Sequence, residues 1–258
     1  MLRFKEYIRP STAAEAFELN KKRSNRIAGG MMWLRLSRGA AASLVDLGGL
    51  GLDCIHETDT SFEIGAMTSL RSLEIHEGFN SYTNGAVKDC LSPIVGVQFR
   101  NTATVGGTVW GRYGFSDLIT LLLALDAKVE LYGAGIVSLA DFIEMKRDRD
   151  ILLRVIVEKK PIRAAYLSVR NSKTDFPVLT CTAVLDGDVF RCAIGARPGI
   201  AKTVIIPASE VSMDLGSVCR EAAEKLKYGS NIRAGADYRR HLGGVLLRRG
   251  IEKIMKGE

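Results

Sequence analysis

At two distant places this chain runs from a short β-prone stretch into a Gly-Gly pair, in Arg26-Ile27-Ala28-Gly29-Gly30 and again in Thr104-Val105-Gly106-Gly107. Glycine permits a positive φ and lets a ligand approach bare backbone N–H groups, which is how a loop forms a nest for an anion. Taken singly, each pair is more often a tight turn than a phosphate site. Two such loops in one chain suit a diphosphate.

The chain has 258 residues, of which 47% are hydrophobic and 25% charged. That is the profile of a globular protein large enough for one domain or two. No apolar run is long enough to span a bilayer, and Met1-Leu2-Arg3-Phe4-Lys5-Glu6 has no signal-peptide core, so the expectation is a cytoplasmic protein. The five cysteines (Cys54, Cys90, Cys181, Cys192, Cys219) are scattered without metal-ligand spacing and read as buried free thiols, which argues against an iron–sulfur cluster or metal site in this chain. The net charge is +7, with basic residues gathered at Lys146 to Arg163 and at Arg239 to Lys256. Acids are interleaved there. In the second stretch Tyr238, Leu242, Leu246 and Ile251 recur at helical spacing, with Arg239, Arg240, Arg248 and Arg249 opposite. This predicts a solvated amphipathic face rather than a nucleic-acid site.

Local patterns indicate an α+β protein. Ser11 to Arg23 reads as a helix capped by Ser11/Thr12 with Glu15 as partner, followed by a strand at 26–28, an apolar piece at Met31 to Leu36 and a strand at 43–47. Further strands are expected at 62–65, 128–132, 152–157, 166–169, 178–185 and 189–196, with Asp186-Gly187 as a hairpin turn. Thr68-Ser69-Leu70 reads as the opening of a helix, and Leu118 to Leu125 reads as a buried helix capped by Ser116 and Asp117. The last forty residues read as helices. A boundary near Lys160-Pro161 would separate a mixed N-terminal region from a smaller sheet-and-helix C-terminal domain.

Other nucleotide signatures fail. Gly133-Ala134-Gly135-Ile136-Val137-Ser138 lacks the last glycine of a dinucleotide loop, and Gly195 to Thr203 has the wrong spacing for a P-loop. His56, His76 and His241 lie in no hydrolytic motif, so they read as surface or structural histidines. Any redox chemistry would belong to a bound cofactor.

With these residues in view, the chain resembles the FAD subunits of xanthine dehydrogenase, carbon monoxide dehydrogenase and related molybdenum hydroxylases. Ile27-Ala28-Gly29-Gly30 is similar to their first flavin motif. Gln98 to Thr108, followed by Ser116-Asp117 and the apolar helix, is similar to the second. Ile64 to Leu70, Asp150-Ile151-Leu152 and Ala236 to Leu242 fit as well, so nearly the whole chain is covered. The resemblance implies a fold of the vanillyl-alcohol-oxidase type: an FAD-binding domain at 1–160, with subdomains at about 1–53 and 54–160, and a C-terminal domain at 161–258.

It also implies that Arg26, Ile27, Ala28, Gly29, Gly30, Met31, Met32 and Trp33 wrap the diphosphate and ribityl chain, and that Thr104, Val105, Gly106, Gly107 and Thr108 complete the cradle. Ser116 and Asp117 would lie near the adenosine ribose, and Asp175 and Phe176 join the FAD contacts. No residue is required as acid or base, and none is assigned as catalytic. FAD in this chain would pass electrons between a [2Fe–2S] subunit, fed by a molybdopterin-binding subunit, and NAD or another acceptor. The alternative is a non-catalytic assembly subunit of the same fold without FAD, suggested by Met31, Met32, Thr108 and Trp110 crowding the loops. A stand-alone FAD oxidase and a nucleic-acid module are further alternatives.

Overall fold

A computed structural model describes residues 2–257, without the side chains of 212 and 213. In chain order the elements are β1 (Arg3–Ile8), α1 (Ala13–Lys21), β2 (Arg26–Ala28), β3 (Ala40–Asp46), β4 (Ile55–Glu57), β5 (Ser61–Gly65), α2 (Leu70–Glu74), α3 (Glu77–Tyr82), α4 (Ala86–Leu91), α5 (Val97–Thr102), α6 (Val105–Gly111), α7 (Asp117–Ala124), β6 (Lys128–Leu131), β7 (Gly135–Ser138), α8 (Leu139–Glu144), β8 (Leu152–Glu158), β9 (Ile162–Arg170), β10 (Pro177–Asp186), β11 (Val189–Gly195), β12 (Lys202–Pro207), α9 (Ala208–Glu224) and α10 (Ala236–Lys256). Contacts divide the chain into two units. The first holds residues 1–73, 97–111 and 127–158, and the second holds 74–96, 112–126 and 159–258.

In the first unit a parallel sheet of order β1-β3-β2 is formed by residues 3–46, and an antiparallel sheet of order β4-β5-β8-β6-β7 by residues 55–158. Helix α1 starts where Thr12 Oγ1 accepts the Glu15 N–H at 3.1 Å and the Glu15 carboxylate returns to the Ser11 N–H at 2.8 Å, a reciprocal cap that the sequence announces. Ala16 and Phe17 of that helix pack with Val45, Leu47 and Ile151. The Gly133-Ala134-Gly135 segment is the β6–β7 turn, with Gly135 at φ 72 and the Asp150 carboxylate accepting the Gly133 and Ala134 N–H groups.

The second unit is built on the antiparallel sheet β12-β11-β10-β9. Strand β10 is buried along most of its length because both faces are covered, which explains its near-continuous apolar sequence. Leu179, Cys181 and Ala183 meet Leu246, Leu247 and Ile251 of α10, whereas Thr180 faces α7, where its hydroxyl lies 3.0 Å from that of Thr120. The β10–β11 hairpin turns at Gly187, φ 58, as Asp186-Gly187 indicates. Among the described residues no helix is long and apolar enough to cross a membrane.

Two expectations about charge and thiols are corrected. Arg239 is not on a solvated face: it has 0% exposure and donates to the carbonyls of Val178, Gly229 and Ala234 and to Asn231 Oδ1. Tyr238, assigned to the apolar stripe, is exposed instead. The helix begins only at Ala236, so the loop carbonyls before it supply a polar nest that one guanidinium fills. Arg149 is likewise engaged with the carbonyls of Asn20, Lys22 and Asn25, and Arg147 with that of Gly111. Of the five cysteines, Cys54 is not buried.

Candidate functional site

Strand β2 pairs with β3 up to Ala28, opposite Asp46, and then releases the chain into Gly29-Gly30. This loop lies directly on the segment that precedes the second glycine pair. A Cβ on Gly30 would stand 1.8 Å from the Thr102 carbonyl oxygen and 2.9 Å from Ala103 Cα, and one on Gly29 would stand 2.9 Å from Thr104 Oγ1. The two glycine motifs are therefore brought together within the first unit, as two halves of one cradle would be.

Their local geometry differs from expectation. Residues 105–111 form helix α6 rather than a β run leading to a loop. Thr104 starts it, its hydroxyl accepting the Gly107 N–H at 3.1 Å while the Thr108 N–H donates to the Thr104 carbonyl. Paired glycines cost roughly 1 kcal/mol each in a helix, so their presence masks the helix start in the sequence. The reason for Gly106 is close packing, since its Cβ would fall 2.6 Å from the Ala66 carbonyl oxygen. The Val105, Gly106 and Gly107 N–H groups are occupied by Thr68 O, Ala66 O and Thr104 Oγ1, so the second motif shapes the cradle without offering these donors.

None of Gly29, Gly30, Gly106 and Gly107 has a positive φ; the left-handed residue is Met31, at φ 59. A left-handed residue among right-handed or extended neighbours is the backbone form of an anion nest. The N–H groups of Gly30, Met31 and Met32 have no acceptor among the described residues. They are partly exposed and available to an anion. Trp33 is 43% exposed. Trp110 does not crowd the loops: its ring packs on that of Phe142, with centroids 5.7 Å apart. Thr108 Oγ1 is used on the Thr104 carbonyl. Because a β-branched side chain is strained in the left-handed region, by about 1–3 kcal/mol, Met31→Ile is expected to weaken flavin retention, whereas Met31→Gly retains it. Equal flavin content in both purified variants would refute the role given to this turn.

Ser116, Asp117, Asp175 and Phe176 lie together in the second unit. Ser116 Oγ caps α7 by accepting the Ile119 N–H. Asp117 is 6% exposed, and its Oδ1 accepts from both the Tyr166 hydroxyl and the Arg170 guanidinium. Burial raises its carboxyl above the usual range, opposed by Arg170 and Tyr166. Arg170 also donates to the Asp175 carbonyl at 2.6 Å, while Arg233 donates to Asp175 Oδ1 at 3.1 Å and holds that carboxyl below its usual range. The Arg233 guanidinium stands 5.0 Å from the Phe176 ring centroid, and Phe176 meets Phe115 edge-on at 4.5 Å. Sequence reasoning missed Tyr166, Arg170, Arg233 and Phe115. No motif announces them, because Tyr166 and Arg170 meet Asp117, and Arg233 meets Asp175, across 49 to 58 residues of chain.

An α+β scaffold with a left-handed turn set against a second glycine segment is the class of arrangement that suits a flavin- or nucleotide-holding domain. The sequence profile of the FAD binding domain in molybdopterin dehydrogenase matches residues 2–159. The chain is 27% identical over 253 residues to the uncharacterized protein YgfM of Escherichia coli K12, covering 94% of this chain and 93% of that protein. It is also 27% identical over 277 residues to the carbon monoxide dehydrogenase medium chain of Afipia carboxidovorans, covering 96% of each. Among solved structures, quinoline 2-oxidoreductase from Pseudomonas putida 86 superposes with a TM-score of 0.84 at 21% identity, over 98% of this chain and 97% of that one. Carbon monoxide dehydrogenase from Hydrogenophaga pseudoflava gives 0.81 at 20%, over 97% of each. The structural likenesses establish the fold as the α+β FAD-binding fold. The chain belongs to the family of FAD-binding domains of molybdopterin dehydrogenases, and is thus an oxidoreductase component that binds FAD.

Proposed function

We propose that this chain is the FAD-bearing electron-transfer subunit of a multi-subunit molybdenum hydroxylase. It takes electrons from a [2Fe–2S] subunit supplied by a molybdopterin-binding subunit and delivers them to NAD or another acceptor. The observation that carries this reading is the set of N–H groups at Gly30, Met31 and Met32, unpaired among the described residues and grouped around a left-handed turn. These donors suit the diphosphate, and Thr104 to Thr108 shape the wall behind the loop. Bound FAD supplies redox chemistry that accepts electrons in pairs and releases them singly or in pairs. The protein's part is to hold and orient it. The proposal extends the FAD contacts to Ser116, Asp117, Asp175 and Phe176.

The purified chain is expected to carry one FAD per polypeptide, released into the supernatant on acid precipitation because neither glycine loop contains a histidine or cysteine for attachment. Colourless protein that takes up no added FAD would favour the assembly-subunit alternative. In anaerobic mixing, the flavin is expected not to be bleached by purines or aldehydes. Rapid bleaching by such a substrate, without molybdenum or iron present, would make this a stand-alone oxidase instead.

A further inference from the structure

Four of the five cysteines, Cys90, Cys181, Cys192 and Cys219, are 0% exposed, and burial pushes their thiols up, Cys219 to about 11. A thiol reacts as its thiolate, so these four are inert in the folded chain. Cys54 differs. It is partly exposed just before β4, and its Sγ lies 3.1 Å from Nε2 of His56 and 3.6 Å from the Gly51 carbonyl oxygen.

The pair is held in place by its surroundings. The Cys54 carbonyl accepts the Gly65 N–H and the Thr68 hydroxyl, both at 3.0 Å. A Cβ on Gly65 would fall 2.2 Å from the Leu52 carbonyl oxygen, so the segment before Cys54 sits tightly on β5. His56 is itself fixed in β4, opposite Glu63 of β5. A nucleophile and a base are thus within direct reach of one another at the start of β4, the arrangement that activates a thiol.

We propose that Cys54, with His56 as its base, is a selective thiol-modification site that hydrogen peroxide oxidises. The thiol proton passes to His56 Nε2 and the sulfur attacks one peroxide oxygen. The S–O bond forms as the O–O bond breaks, and the departing hydroxide takes the proton back from His56 to leave as water. Sulfur is oxidised by two electrons, the peroxide is reduced, and Cys54 becomes a sulfenic acid. The other cysteines are buried, so an external small thiol such as glutathione then condenses with it, releasing water and forming a mixed disulfide.

The test treats the full-length native chain with limiting iodoacetamide and, separately, with hydrogen peroxide followed by glutathione, and reads intact mass and peptide maps. One adduct, on Cys54, is expected from each reagent, and none on Cys54→Ser. Cys54 should be alkylated on the order of tenfold faster than N-acetylcysteine at neutral pH, and His56→Gln should remove that advantage. His56 is exposed, so this variant should melt as the parent does, which separates loss of the base from loss of the fold. Adducts spread over several cysteines, a Cys54 rate equal to that of N-acetylcysteine, or an unchanged rate in a normally melting His56→Gln protein would each overturn the proposal.

Discussion

Gly30→Val is expected to yield a chain that retains no FAD and melts at a lower temperature than the parent. Even a methyl group at this position would stand 1.8 Å from the Thr102 carbonyl oxygen and 2.7 Å from its carbon, and both are backbone atoms that cannot rotate away. Relief requires the loop to lift off residues 102–103. Overpacking of this kind costs about 1–3 kcal/mol, and the displacement also moves the N–H groups of Met31 and Met32 that are proposed to hold the diphosphate. Gly107 is a useful contrast, because its only close neighbour is the Thr104 side-chain oxygen at 3.0 Å, so Gly107→Ala should fold while loosening the cap of α6. Flavin absorbance per polypeptide and a thermal melt measure both effects. A Gly30→Val protein that is fully yellow and melts normally would show that the two glycine segments are not packed as described.

The second large effect is expected from Arg239→Met, which should strongly destabilise the full chain, because each buried acceptor left without its donor costs about 1–3 kcal/mol. Methionine fills much of the same volume. It leaves the carbonyls of Val178, Gly229 and Ala234 and the Asn231 side chain without the donor that now serves them. Arg239→Lys should be nearly as costly, because an ammonium has three donors in a different geometry and cannot reproduce the planar fork. Denaturant titration of the purified chain checks this, and a midpoint equal to that of the parent would mean that the loop at 229–235 does not depend on Arg239.

These two positions show where sequence reading succeeds and where it stops. The caps at Thr12 and Ser116, the three-residue strand at Arg26–Ala28 and the hairpin at Gly187 were legible because each is decided by residues within a few positions of one another. The two glycine pairs were also legible as special backbone. Their purpose was only half readable: Gly30 and Gly106 are glycine because distant carbonyls, those of Thr102 and Ala66, come too close for a side chain, and the positive φ belongs to Met31. Short helices such as α3 to α6, each of six or seven residues, carry too little periodicity to be recognised.

Charge was the least legible feature. A helical wheel puts Arg239 and Arg240 side by side, yet Arg239 is wholly buried while Arg240 pairs with Asp237 at the surface. Asp117 lies 49 residues from Tyr166 and 53 from Arg170 in the chain, and nothing local distinguishes the buried ion pair from the surface ones. Hydrophobic periodicity, caps and turn chemistry act over a few residues, so the amino-acid order alone settles the capped helices, the hairpin turn and the family motifs. Whether a guanidinium is solvated or enclosed, and whether a backbone N–H stays free for a phosphate, depends on which carbonyls the tertiary structure brings to it. Those decisions belong to the folded chain, because hydrogen-bond partners are chosen in space and not along the sequence.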